Sequence, residues 1–177
     1  MRALLAHAPR LYEVAAYLVA ARRLGDQAGR AEALFAELVA SSAGLCCLQI
    51  GARDHKFAPH WTCVDLYDQA AYVDFHYDVQ QLQFPDARFD VVVCDAILEH
   101  VPAPTTAIRE LRRVLKPGGR VWVEVPFNQP YHPSPQDYWR VTPEGLQLWM
   151  RDFEPLAAGF AGSAIYNYVF FCGRKPA

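Results

Sequence analysis

Two stretches, "LCCLQI" (45–50) and "FDVVVCDA" (89–96), are apolar at nearly every position rather than at every second one. A strand with one face in water alternates. An unbroken, β-branched run bounded by turn residues belongs to a strand covered on both faces, as in a parallel sheet flanked by helices. "WTCVDL" (61–66) reads as a further strand, "YVDFHY" (72–77) as a weaker one, and "RVWVEVPF" (120–127) as an alternating one. Ile108, Leu111 and Leu115 share one face of a helix over about 104–115, which "KPGG" (116–119) ends. Thr142 before Pro143 is an N-cap and first-turn pair for a helix over 143–151. The last stretch, "FEPLAAGFAGSAIYNYVFFCGRK", predicts a closing antiparallel pair of strands. Strands alternating with helices through the middle of the chain define an α/β sheet.

Ahead of this core, Leu11, Val14, Ala15 and Leu18 lie at helical spacing, as do Ala31, Leu34, Phe35, Leu38 and Val39. They predict helices near 9–23 and 28–41, whose apolar stripes need either the sheet or a second copy of the chain, a homodimer, as partner. The expected organisation is a single domain over 1–177, with N-terminal helices in 1–44 and the core in 45–177. With 17 basic against 19 acidic residues and no basic run, no nucleic-acid surface is expected. "RELRR" (109–113) reads as a solvated helix face. None of the five cysteines forms a C-x-x-C pair, which argues for reduced thiols and a cytoplasmic protein. Pro9, Arg10 and Glu13 break the N-terminal apolar stretch, so neither a signal peptide nor a membrane span is expected. The acidic and histidine residues show no metal-ligand spacing.

"FPDARFDVVVCDAILEHVP" followed by "AIRELRRVLKPGGRVWVEVP" resembles the class I S-adenosylmethionine (SAM)-dependent methyltransferases, in the small-molecule branch with a Leu-Glu-His signature, here Leu98-Glu99-His100. The likeness covers about 45–150. It implies a Rossmann-like sheet of order 3-2-1-4-5-7-6 with the last strand antiparallel, and SAM lying across the carboxyl ends of the first, second and fourth strands. Carried over by motif, Gly51 lets backbone approach the cofactor, with Ala52 and Arg53 beside it. Asp65, followed by Leu66, accepts from the ribose hydroxyls. Asp78, with the Val79 backbone beside it, accepts from the adenine amino group, and Asp95 and Ala96 form the floor near the sulfonium. Read without the resemblance, Asp65 and Asp78 are turn aspartates satisfying local backbone donors.

The likeness has departures. The family loop reads acidic-x-Gly-x-Gly-x-Gly, whereas this chain has Gln49-Ile50-Gly51-Ala52-Arg53-Asp54-His55. Arg53 stands where a second glycine would permit positive φ and close backbone approach, so the loop is expected to take another path or to keep more distance from the ligand. Arg53 is either a surface arginine or a partner for the cofactor's carboxylate. Gly51 and Asp65 are only 14 positions apart with Pro59 between them, so the first crossovers should be loops and the third strand short or irregular. A non-catalytic protein of the same fold, kept as a binding or assembly module, is the alternative these departures support. A nicotinamide dehydrogenase would need G-x-G-x-x-G after the first strand, which is absent.

Methyl transfer to a hydroxyl needs alignment, exclusion of water and removal of a proton, and imidazole suits the last task. His100, just past the fourth strand, and His132, in the loop "YHPSPQDYWR", are the candidate bases. Tyr131, Asp137, Tyr138 and Arg140 from the same loop, which resembles one in bacterial relatives, are the candidate acceptor contacts. The bland alternatives are a hydrogen-bonded helix-start histidine and a proline-stiffened loop packed on the sheet. The expected acceptor is a small molecule, glycan or lipid, methylated at oxygen.

Overall fold

A computed structural model of the chain describes residues 29–162 and 166–177; the expected helix at 9–23 lies outside them. Among these residues six strands form one sheet. They are β1 (Cys47–Ile50), β2 (Thr62–Val64), β3 (Phe89–Asp95), β4 (Leu115–Asn128), β5 (Glu154–Gly162) and β6 (Asn167–Arg174), in spatial order β2-β1-β3-β4-β6-β5. The first four in that order run parallel, and β6 is antiparallel to both its neighbours. The expected order is thus present from its second member onward.

The weak strand at 72–77 is the exception. It contributes a single bridge, Val64 to Phe75, so among the described residues the sheet has six strands rather than seven. The reason lies in Asp74, whose carboxylate takes the Cys63 N–H at 2.8 Å, while Asp74 N and Phe75 N both turn to the Cys63 carbonyl. A side chain has replaced the backbone acceptor that a ladder would need. No helix occurs in the 51–61 or 65–88 connections, as the short spacing implied. Aromatic side chains fill the space instead. Phe57 and Trp61 meet edge to face under the first connection, and Phe75, Phe84 and Phe89 do so in sequence under the second.

The two sheet faces sort by residue parity. Val92 and Cys94 of β3 pack with Leu48 and Ile50, under helix α2 (Pro104–Val114) and helix α3 (Pro143–Trp149). Val91 and Val93 pack with Trp61 and Trp122 on the other face, against Ala31 and Leu38 of helix α1, which covers 29–40. The apolar stripe of α1 therefore finds its partner in the chain's own sheet. Val91, Val92 and Val93 are wholly buried, and burying such side chains contributes roughly 1.5–3 kcal/mol each. α2 ends at Val114 and β4 starts at once, so "KPGG" lies inside the strand as an irregularity. Phe89 pairs with Leu115 but Val91 with Arg120, and Gly118 has φ +74°. α3 ends two positions short of the expected 151, and the Thr142 hydroxyl accepts from Gly145 N at 3.1 Å as an N-cap should.

Candidate active site

β1 and β3 are neighbours, yet the chain leaves β1 for β2 on the opposite side. The crevice above the carboxyl ends of these strands is the topological switch point of the sheet. A cavity of about 470 Å³ opens there, and its walls include all nine residues assigned to the cofactor: Gly51, Ala52, Arg53, Asp65, Leu66, Asp78, Val79, Asp95 and Ala96. Its volume is in the range of small-ligand pockets.

Local bonding fixes each wall. Gly51 has φ +100°, and a Cβ there would stand 2.7 Å from the Asp95 carbonyl, so the β1 loop presses directly on the end of β3. Asp65 Oδ2 accepts from Ala52 N, and Oδ1 accepts from Tyr67 N and Asp68 N, each at 2.9 Å. Asp78 Oδ1 accepts from Gln80 N at 2.7 Å. These are the turn roles that local chemistry offers, and they also lock both carboxylates at the cavity edge with acceptor capacity left over. Ala96 has φ +53°, an uncommon conformation for a residue with a Cβ, and its N–H reaches the Glu124 carbonyl at 3.0 Å.

The altered loop keeps its shape by a different device. Gln49 is fully buried. Its amide donates to the Gly51 and His55 carbonyls at 3.0 Å and accepts from Phe57 N at 2.9 Å, stitching the turn together. Arg53 itself adopts φ +48°, a left-handed conformation that glycine takes freely and arginine at a cost of roughly 1–2 kcal/mol. Its guanidinium pairs with Asp95 through two contacts, 2.6 and 2.9 Å, and lies 5.8 Å from the centre of the Tyr168 ring. Burial pushes Asp95 above the ordinary carboxylate range, with Arg53 pulling the other way. Glu124, behind them, is pushed up to about 7 by burial and by Asp95.

A second cavity of about 460 Å³ shares Arg53, Ala96 and His100 with the first and adds Glu99, Gln129, His132 and Tyr168. Here the sequence reading meets a mixed outcome. His100 and His132 come together, ring centres 5.2 Å apart and edge to face. Asp137 and Arg140 pair with each other at 2.6 and 2.8 Å, and Asp137 also accepts from His132 N at 2.8 Å, so they brace the loop. The Arg140 guanidinium holds the Asp137 carboxyl far below its usual range. Tyr131 and Tyr138 do not line either cavity and stand exposed, at 73% and 49%. The residue the reading passed over is Glu99. It is fully buried, neither carboxylate oxygen has a hydrogen-bond partner, and burial, with Asp95 adding to it, pushes its carboxyl up to about 8. Its place inside the Leu-Glu-His step was the available signal.

Sheet order, crevice and paired carboxylates together define a class I methyltransferase fold. Residues 36–123, just under half of the chain, match the family model described as a methyltransferase domain, and the fold is that of the class I SAM-dependent methyltransferases. Among curated proteins it is 35% identical over 92 residues to the 2-phytyl-1,4-naphtoquinone methyltransferase of Synechococcus elongatus, a match covering 52% of this chain and 36% of that protein. It is 53% identical over 36 residues to the ubiquinone biosynthesis O-methyltransferase of Pseudomonas paraeruginosa, covering 20% of this chain and 16% of the relative. The chain thus matches little more than a third of the length of the first and less of the second. Among solved structures, the 1,6-didemethyltoxoflavin-N1-methyltransferase of Burkholderia thailandensis, with 1,6-didemethyltoxoflavin and S-adenosylhomocysteine (SAH) bound, superposes with a TM-score of 0.65 at 19% identity, over 94% of this chain and 90% of that one. The [4+2]-cyclase SpnF superposes with a TM-score of 0.62 at 20% identity, over 81% of each chain. Among the described residues no helix is long and apolar enough to cross a membrane.

Proposed function

We propose that this chain transfers a methyl group from SAM to a hydroxyl oxygen of a small-molecule acceptor. The observation that carries the proposal is the pair of cavities sharing Arg53, Ala96 and His100, because a group held in one can reach a partner in the other across that common wall. SAM supplies an electrophilic methyl group when bound. The residues fit it: Asp65 and Asp78 sit at the rim of the first cavity with unused acceptor positions for ribose and adenine donors, and Asp95, Ala96 and Arg53 form its inner end. The Arg53 guanidinium is available to a carboxylate if it exchanges or shares Asp95.

On the acceptor side, His100 and His132 receive the proton that the hydroxyl loses. Both line the second cavity with Nε2 3.6 Å (His100) and 3.9 Å (His132) from Glu99 Oε1, while Nδ1 faces a backbone carbonyl, Gln136 O at 2.5 Å and Pro130 O at 2.8 Å respectively. A carbonyl only accepts, so Nδ1 carries the hydrogen and Nε2 keeps its lone pair, the state a general base requires. Asp137 and Arg140 position the loop that carries His132. Support for a quinone-like acceptor comes from the names of the relatives, and support for oxygen from the O-methyltransferase alone, since another relative is named a ubiquinone/menaquinone biosynthesis C-methyltransferase. Glycan and lipid acceptors remain outcomes of an acceptor panel. A cytoplasmic homodimer, if it uses the N-terminal helices, does so with surface other than Ala31 and Leu38.

The Arg53–Asp95 pair favours one second reading, a binding module in which a protein side chain has taken over the sulfonium end of the crevice. Calorimetric titration with SAH, followed by SAM turnover over hydroxylated aromatic, sugar and lipid acceptors, separates the two. Tight SAH binding with acceptor-dependent SAH release is the expected result. Absence of both overturns the enzymatic reading.

A further inference from the structure

We propose that Glu99, His100 and His132 form a binding site for a divalent transition-metal cation of the Zn²⁺ class. His100 Nε2 lies 3.6 Å and His132 Nε2 3.9 Å from Glu99 Oε1, and one ligand atom from each of the three falls within 4.8 Å of the others. Donors bound to one ion at about 2.1 Å in tetrahedral array stand roughly 3.4 Å apart, so small side-chain shifts close the set. Glu99 gives the strongest indication. Its side chain has no exposed surface and no hydrogen-bond partner on either oxygen, which is costly for a carboxylate or a neutral acid, and Oε1 faces Nε2 of both imidazoles. A cation satisfies all three groups at once.

The surroundings match the chemistry. Both imidazoles donate Nδ1–H to backbone carbonyls, the outer bond that orients metal-ligating histidines and leaves Nε2 to the ion. Arg140 Nη2 lies 3.2 Å from the His132 Nδ1 and donates to the same Pro130 carbonyl, but Asp137 neutralises it, as Asp95 neutralises Arg53. Two nitrogens and one carboxylate suit Zn²⁺ or its first-row neighbours, and disfavour Mg²⁺, which wants oxygen. With three protein ligands the site keeps a position open toward the second cavity. In that position the ion would hold the acceptor's oxygen and lower its pKa, the hydroxyl proton leaving to solvent, in place of the imidazoles acting alone. This last role rests on the methyl-transfer reading. Cation binding itself does not.

Protein dialysed against chelator and titrated with Co²⁺, followed in the visible region, tests the site, with Zn²⁺ by calorimetry and Mg²⁺ as control. One equivalent of Co²⁺ and Zn²⁺ should bind, and Glu99→Gln and His132→Ala should each weaken binding at least about tenfold. His132 is on a surface loop, so its variant reports even where Glu99→Gln alters folding. Cys46→Ser, which removes an exposed thiol, should leave the titration unchanged. No binding, binding unaffected by both ligand variants, or binding lost with Cys46 overturns the proposal. SAH titrated into the same stripped samples keeps the two readings apart. SAH binding with no Co²⁺ site removes the cation alone, whereas a Co²⁺ site without SAH binding supports the site and removes the methyl-transfer reading.

Discussion

On the nucleoside side of the crevice, Asp65 holds three backbone N–H groups and Asp78 holds one, so the carboxylates are positioned before any ligand arrives. On the acceptor side, Glu99 holds none and faces two imidazoles whose only donors point away. The first arrangement is a finished cradle, stable by itself. The second is a buried group without hydrogen-bond partners beside two imidazoles, which a cation would complete. The lesson is that satisfied groups mark a wall and unsatisfied ones mark where a ligand is missing.

The sharpest way to break this contrast is to remove an acceptor-side imidazole. His132→Ala and His100→Ala should each slow turnover by about 10²–10⁴-fold with SAH affinity changed little. Equal losses of SAH binding would mean the two sides are not separate. Gly51→Val attacks the finished side, imposing a branched Cβ at φ +100° and 2.7 Å from the Asp95 carbonyl. Strain and overlap should lower unfolding stability by about 2–4 kcal/mol in urea denaturation, and a neutral result would refute the close approach of β1 and β3. Asp65→Ala releases three backbone donors, which should weaken SAH about 10–100-fold by calorimetry while leaving Co²⁺ binding intact.

The smallest effect is one of pH. Glu110 accepts from Leu82 N and pairs with Arg113, which also ties down Leu82 and Phe84 carbonyls, anchoring the helix-free 65–88 connection to α2. The Arg113 hydrogen bond holds the Glu110 carboxyl below its ordinary value. A lowered folded-state pKa contributes stability above the unfolded pKa, about 4.3, and loses it as pH falls through the folded value. Melting temperature should therefore fall between about pH 5 and pH 3, less steeply in Glu110→Gln. Identical slopes would remove the clamp.

The nucleoside side was legible because its residues sit at the ends of strands whose apolar runs announce themselves; Gly51, Asp65 and Asp95 all terminate such runs. The missing crossover helices were legible from spacing alone. The third strand, expected short or irregular, is a single bridge, because "YVDFHY" has strand composition but Asp74 commits its side chain to a ladder donor. The left-handed conformation of Arg53 was not legible, since it depends on the bonds that Gln49 and Asp65 supply to the turn. The acceptor side was half-read. His100 and His132 are 32 positions apart, and only the folding of the 129–140 loop brings them onto Glu99. Tyr131 and Tyr138 share that loop but not the cavity, and no periodicity separates the two outcomes.

SAH titrated calorimetrically into the intact chain, with and without Asp65→Ala, tests the central claim most directly. One molecule should bind per chain, and the substitution should weaken it at least about tenfold. No heat of binding in the intact chain, or an affinity indifferent to Asp65, would contradict the assignment of this crevice to the nucleoside.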